Sequence, residues 1–95
     1  MIQSTNDFLK IVEAKPLEYF TMLLRFNTGE TKIFDMTEIY DAEAFVPLQD
    51  ETRFKNVKLV NGVCTWEQGQ IDLAPEFMYE KGYLYDESEL LVAEA

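Results

Sequence analysis

Four acids, Asp35, Glu38, Asp41 and Glu43, fall within nine positions of a 95-residue chain. Carboxylate oxygens are the ligands of hard cations such as Mg²⁺ and Ca²⁺, so divalent-cation binding is the first chemistry this spacing suggests. The run lacks the central glycine and the distal bidentate glutamate of an EF-hand loop, and helix capping and solvation account for it better. Asp86, Glu87 and Glu89 form a second acidic group, read as a solvated charged link. Two carboxylates can divide acid and base roles without a histidine, but nothing in the spacing singles out a pair. The sequence has no histidine, one cysteine, Cys64, and two serines, Ser4 and Ser88. Without histidine the chain lacks the usual general base, the usual activator of a nucleophile and the commonest zinc ligand. Dinucleotide, P-loop, nucleophile-elbow and zincin motifs are also missing, and Gly29, Gly62, Gly69 and Gly82 read as turn or cap residues. The expectation is a protein that is not an enzyme and uses no cofactor and no metal. The alternative is a small-ligand or divalent-cation-binding carboxylate protein, with a metal-dependent enzyme further behind.

The elements that would position these residues follow from periodicity. From Tyr19 to Phe26, Phe20, Met22, Leu24 and Phe26 alternate with Tyr19, Thr21, Leu23 and Arg25, the pattern of a strand with one covered face. Asn27, Thr28 and Gly29 supply a turn, and Thr31 to Phe34 resumes a strand, giving a hairpin over roughly 18–35. Lys10 to Ala14 adds a strand before Pro16. Asn61-Gly62 is the preferred pair for a two-residue type I′ turn. It pairs Val60 with Val63, Leu59 with Cys64, Lys58 with Thr65 and Val57 with Trp66. Opposed residues share a face, so Val57, Leu59, Cys64 and Trp66 point to the core while Lys58 and Thr65 point away. Cys64 is thus a small buried hydrophobe, and Trp66 is a core residue before it is a ligand platform.

Between the hairpins, Met36 to Tyr40 and Asp50 to Lys55 read as single helical turns capped by Thr37 and Asp50, with Phe45, Leu48 and Phe54 as core anchors. Gln68-Gly69-Gln70 reads as a turn. Pro75 fits the first position of a helix in which Leu73 and Phe77 share a face, ended by Gly82 in a left-handed cap. The fold class expected is α+β: a mainly antiparallel sheet of two hairpins with short helices on one side. Residues 1–81 form a single small domain and 82–95 an acidic C-terminal tail with apolar clusters.

The net charge is −10, from 8 basic and 18 acidic residues. It is lopsided: residues 1–66 carry 10 acids and 7 bases, whereas residues 67–95 carry 8 acids and only Lys81. Such a field repels phosphates, which argues against direct nucleic-acid binding, and it favours encounter with a basic protein. The apolar runs are far too short to span a bilayer, so no membrane association is expected. A lone cysteine and no signal-peptide pattern point to the reducing cytoplasm.

The tail combines apolar anchors with this charge. Tyr83, Leu84 and Tyr85 are followed by Asp86, Glu87 and Glu89 and then by Leu90, Leu91 and Val92. Aromatic and aliphatic anchors ringed by charge are what a recognition surface needs. Tyr83, Tyr85, Asp86, Glu87, Glu89, Leu90 and Leu91 are therefore the expected partner-binding residues of a non-catalytic protein-interaction module. A small basic protein, in an antitoxin-like arrangement, is the partner that fits. Oligomeric state is left open by the sequence.

The order of landmarks resembles a small bacterial domain-of-unknown-function family, number 2442. The resemblance runs from about Val12 to Tyr79. It rests on Ala14-Lys15-Pro16-Leu17, Leu24-Arg25-Phe26, Gly29-Glu30 and Phe34-Asp35, then Phe45-Val46-Pro47-Leu48-Gln49-Asp50, Phe54, Val57, Trp66, Gly69, Asp72-Leu73 and Tyr79. It implies a small α+β domain with an antiparallel sheet and brings no established activity. Some members resemble the front half of a helix-turn-helix chain, and others resemble partners in toxin-antitoxin-like pairs. This sequence departs from the first kind, because only 16 residues follow Tyr79 and their charge is wrong for DNA.

Overall fold

Alternation and turn chemistry build two antiparallel sheets that share one core. The computed structural model describes residues 9–84. The first sheet has strand order β1-β2-β3-β7, from β1 (Ile11–Pro16), β2 (Thr21–Phe26), β3 (Thr31–Asp35) and β7 (Tyr83–Leu84). The second has order β4-β5-β6, from β4 (Lys58–Val60), β5 (Val63–Trp66) and β6 (Ile71–Leu73). Two short helices, α1 (Glu51–Phe54) and α2 (Pro75–Lys81), and 3₁₀ turns at Glu18–Phe20, Met36–Glu38, Glu43–Gln49 and Glu67–Gly69 complete the described chain. The α+β expectation holds, with two sheets in place of one.

Met22, Leu24 and Phe26 of β2 and Phe34 of β3 are buried, as the alternation required, and they meet Phe54, Cys64, Trp66, Leu73 and Met78 in a single cluster. The Trp66 Nε1–H donates to the Phe54 carbonyl at 2.9 Å, so the indole packs in the core with its polar edge satisfied. The Asn61-Gly62 hairpin has the derived register from Val60↔Val63 to Lys58↔Thr65. Val57 lies just outside that ladder. Thr65, expected on the open face, is only 9% exposed and donates its hydroxyl to the Lys58 carbonyl at 3.0 Å.

The sheets meet at this hairpin. The Ile11 N–H donates to the Gly62 carbonyl at 2.9 Å. A Cβ on Gly62 would lie 2.6 Å from the Lys10 Cβ. Gly62 is therefore needed twice, for its φ of 82° and for the close approach of β1.

Four local expectations are corrected. Tyr19 and Phe20 do not belong to β2: they form the turn between β1 and β2 at φ of 59° and 61°, where Thr21 N–H returns to the Glu18 carbonyl. Asp35, not Thr37, caps the Met36–Glu38 turn, accepting from Thr37 N–H at 3.0 Å. Asp50 caps α1 as expected. Leu73 lies in β6, a strand too short to show alternation, and not in the helix begun by Pro75. Gly82 ends α2 at φ −77° and ψ 160°, an extended rather than left-handed conformation.

Candidate functional site

The surface that gathers exposed tyrosines and acids is the β3–β7 edge, and α2 delivers it. Met78 of α2 is buried in the core, and Phe77 packs edge-on to Phe34 with ring centroids 6.1 Å apart. Lys32 Nζ donates to the Tyr79 carbonyl at 2.5 Å and lies 3.7 Å from the centre of the Tyr79 ring. It thus serves a carbonyl in the helix's last turn and the negative face of an aromatic ring together. The Tyr79 hydroxyl donates to Glu30 Oε1 at 2.5 Å, and Thr28 Oγ1 donates to the same oxygen at 2.9 Å. The bond from Tyr79, and then that from Thr28, hold the Glu30 carboxyl below its ordinary value of 4.5. The bond to Glu30 raises Tyr79 above 10.0. This latch ties the end of α2 to the β2–β3 hairpin.

Gly82 follows because nothing larger fits. A Cβ there would stand 2.9 Å from the Met78 carbonyl oxygen and 3.2 Å from the Lys32 Cβ. The chain then enters β7, with Tyr83 opposite Ile33 and Leu84 opposite Lys32. Tyr83 and Leu84 are 59% and 71% exposed, and β7 is one edge of its sheet among the described residues, with β1 at the other. The Tyr83 hydroxyl donates to Glu38 Oε2 at 3.0 Å, which, with the charge of Glu38, raises the Tyr83 pKa above 10.0.

Register carries this edge across the sheet's outer face. Lys15 pairs with Leu23, Leu23 with Ile33 and Ile33 with Tyr83, so these four share one row. The next row holds the Glu13–Arg25 ion pair at 3.1 Å. Beyond the Thr21–Asp35 end of the sheet, the β1–β2 turn presents Tyr19, 83% exposed, beside Tyr40 and Glu51.

Of the residues expected to bind a partner, Tyr83 is placed at this edge. Tyr85, Asp86, Glu87, Glu89, Leu90 and Leu91 lie outside the described residues. Three of the four acids first considered for a cation are engaged separately. Asp35 caps a turn, Glu38 accepts from Tyr83, and Asp41 accepts from Gln49 Nε2 at 3.2 Å. Among the described residues no three His, Cys, Asp or Glu side chains gather as a metal site. Burial pushes the Cys64 thiol up to about 12, so it is not a nucleophile at neutral pH. An open concavity of about 790 Å³ lies against the second sheet, near Lys58, Thr65 and the Glu67–Gly69 turn, with one lysine and one acid on its wall.

The role of Tyr19 was hidden in the sequence because the alternation runs unbroken through it. Its only hint was position, between Pro16 and a β-branched strand start. The Glu30–Tyr79–Lys32 latch joins residues 47 and 49 positions apart, a separation that no local pattern reports.

Among known protein families, residues 11–83 match the one described as a protein of unknown function (DUF2442). No curated protein and no solved structure matches the chain.

Proposed function

We propose, for a chain that belongs to the DUF2442 family of unknown function, a non-catalytic role as a protein-interaction module for a basic partner. The observation that carries this reading is the exposed β7 edge, where Tyr83 and Leu84 stand out beside Glu38. An outermost strand offers backbone groups for strand addition, and its exposed side chains supply selectivity. In the sequence β7 is followed by Tyr85, Asp86, Glu87, Glu89, Leu90 and Leu91, so apolar and acidic residues come next along the chain. The charge of −10 would hasten encounter with a basic protein and disfavour nucleic acid. An antitoxin-like pairing in the cytoplasm is the setting that such a complex suits. Among the described residues no helix is long and apolar enough to cross a membrane.

The test is capture from lysate with the tagged full chain, washed at low and then high salt. Leu84→Asp and a chain ending at Leu84 serve as variants. Cutting after Leu84 keeps β7, whereas cutting before Tyr83 would strip the cover from β3. The reading predicts one stoichiometric basic protein, weakened by salt and lost from both variants. Retention of that protein by both variants would remove this edge as the contact surface.

A further inference from the structure

Tyr19 occupies a backbone conformation that a bulky residue rarely adopts. Its φ is 59° and ψ 34°, followed by Phe20 at φ 61°. Hairpin turns with two left-handed residues usually use Asn-Gly, because a Cβ in that region meets the following carbonyl. Phe20 recovers something in return: it packs on Tyr40 and Phe54 with centroids 5.3 Å and 5.4 Å away. Tyr19 recovers nothing visible, being 83% exposed and, among the described residues, without a hydrogen bond or ring contact. A residue that is strained, large, aromatic and outside the core points to use elsewhere.

Its surroundings define that use. Glu18, Tyr19, Phe20, Thr37, Tyr40 and Glu51 line an open concavity of about 500 Å³. Two tyrosines and a phenylalanine supply ring surface, and Glu18 and Glu51 supply negative charge. Glu51 is shared with Lys55 at 3.4 Å, while Glu18 has no side-chain partner among the described residues. A planar cation that stacks on an aromatic ring and offers N–H donors to a carboxylate matches both features, and guanidinium does this better than ammonium. The groove also adjoins the β7 edge, since Thr37 precedes Glu38, the acceptor of the Tyr83 hydroxyl.

We propose that this groove, between the Glu18–Phe20 turn and Tyr40, seats an arginine side chain of a partner protein, with Tyr19 as its stacking plate and Glu18 as its counter-charge. The proposal rests on the interaction-module reading and assigns it a specific arginine site.

The probe is an arginine–glycine repeat peptide titrated into the full chain and followed by NMR, with the lysine–glycine repeat as control. Saturable shifts are expected at Glu18, Tyr19 and Tyr40, with the arginine peptide tighter by about three- to fivefold. Tyr19→Asn should weaken the arginine peptide by a similar factor while raising Tm by about 4 °C, because Asn tolerates the left-handed region. Equal affinity for both peptides, shifts confined to the C-terminal acids, or full binding by Tyr19→Asn would each overturn the assignment. The two readings separate cleanly. A captured partner lost by Leu84→Asp but bound by Tyr19→Asn as tightly as by wild type sinks the groove alone, and a saturable groove titration with capture unchanged in both Leu84 variants sinks the β7 edge alone.

Discussion

Trp66 and Tyr79 show how single side chains decide this fold. Trp66 is buried with its indole N–H on the Phe54 carbonyl, so Trp66→Phe removes ring volume and strands a buried acceptor. A loss of about 2–4 kcal/mol is expected in urea unfolding. Tyr79 acts through Glu30, whose carboxyl is held low by the Tyr79 hydroxyl, while Tyr79 itself is raised by Glu30. A lowered acid contributes stability above its unfolded pKa and loses it as pH falls through the folded value. A raised phenol contributes below its unfolded pKa and loses it as pH rises through the folded value. The gap in Tm between wild type and Tyr79→Phe should therefore be level near neutrality, and it should shrink below pH 4.5 and above pH 10.0. A gap independent of pH would mean that the bond is not formed in solution. Cys64 and Trp66 were both legible as core residues, because one turn dipeptide set their register. The Glu30–Tyr79 contact was not, since it depends on how α2 docks.

Turn residues divide into those needed for φ alone and those needed for space as well. Gly29 has φ 96° and open space where a Cβ would stand, with nothing within 4 Å, whereas Gly62 has φ 82° and Lys10 at 2.6 Å. Gly29→Ala should cost about 1 kcal/mol from the left-handed conformation, and Gly62→Ala should cost clearly more in the same denaturation series, because β1 must move. Equal losses would show that β1 yields freely. Gly82→Ala meets a different obstacle, the Met78 carbonyl at 2.9 Å, and should loosen β7 before the core. A larger rise in amide exchange at Tyr83 than at Met22 would report this, and a uniform rise would rule it out. The two hairpins and the Pro75 helix start were readable from turn and periodicity signals. Strand β6 was not: three residues carry too little pattern, and its place depends on pairing Trp66 with Ile71. The cap at Asp35 was displaced by two positions because Asp and Thr both serve as caps, and only the backbone path shows which one reaches Thr37 N–H.

The two sheets set exposed tyrosines and acids at one end of the first, on β7 and the neighbouring turns, and that end is where the proposed partner would dock. Composition alone made an acidic binding module plausible, since charge is summed without regard to fold. It could not tell that Tyr19, far from Tyr83 in sequence, belongs to the same end. Electrostatic steering implies that association with a basic partner slows steeply as ionic strength rises, while dissociation changes less. Stopped-flow mixing at two salt concentrations checks this, and a salt-independent association rate would argue for a neutral interface. Where the partner sits is read by amide hydrogen exchange on the full chain, free and in the captured complex. Added protection is expected at Ile33, Tyr83 and Leu84 and in the turns at residues 18–20 and 37–40. Protection confined to the outer face of the second sheet, around Lys58, Thr65 and Asp72, would place the partner elsewhere and overturn the assignment of this end.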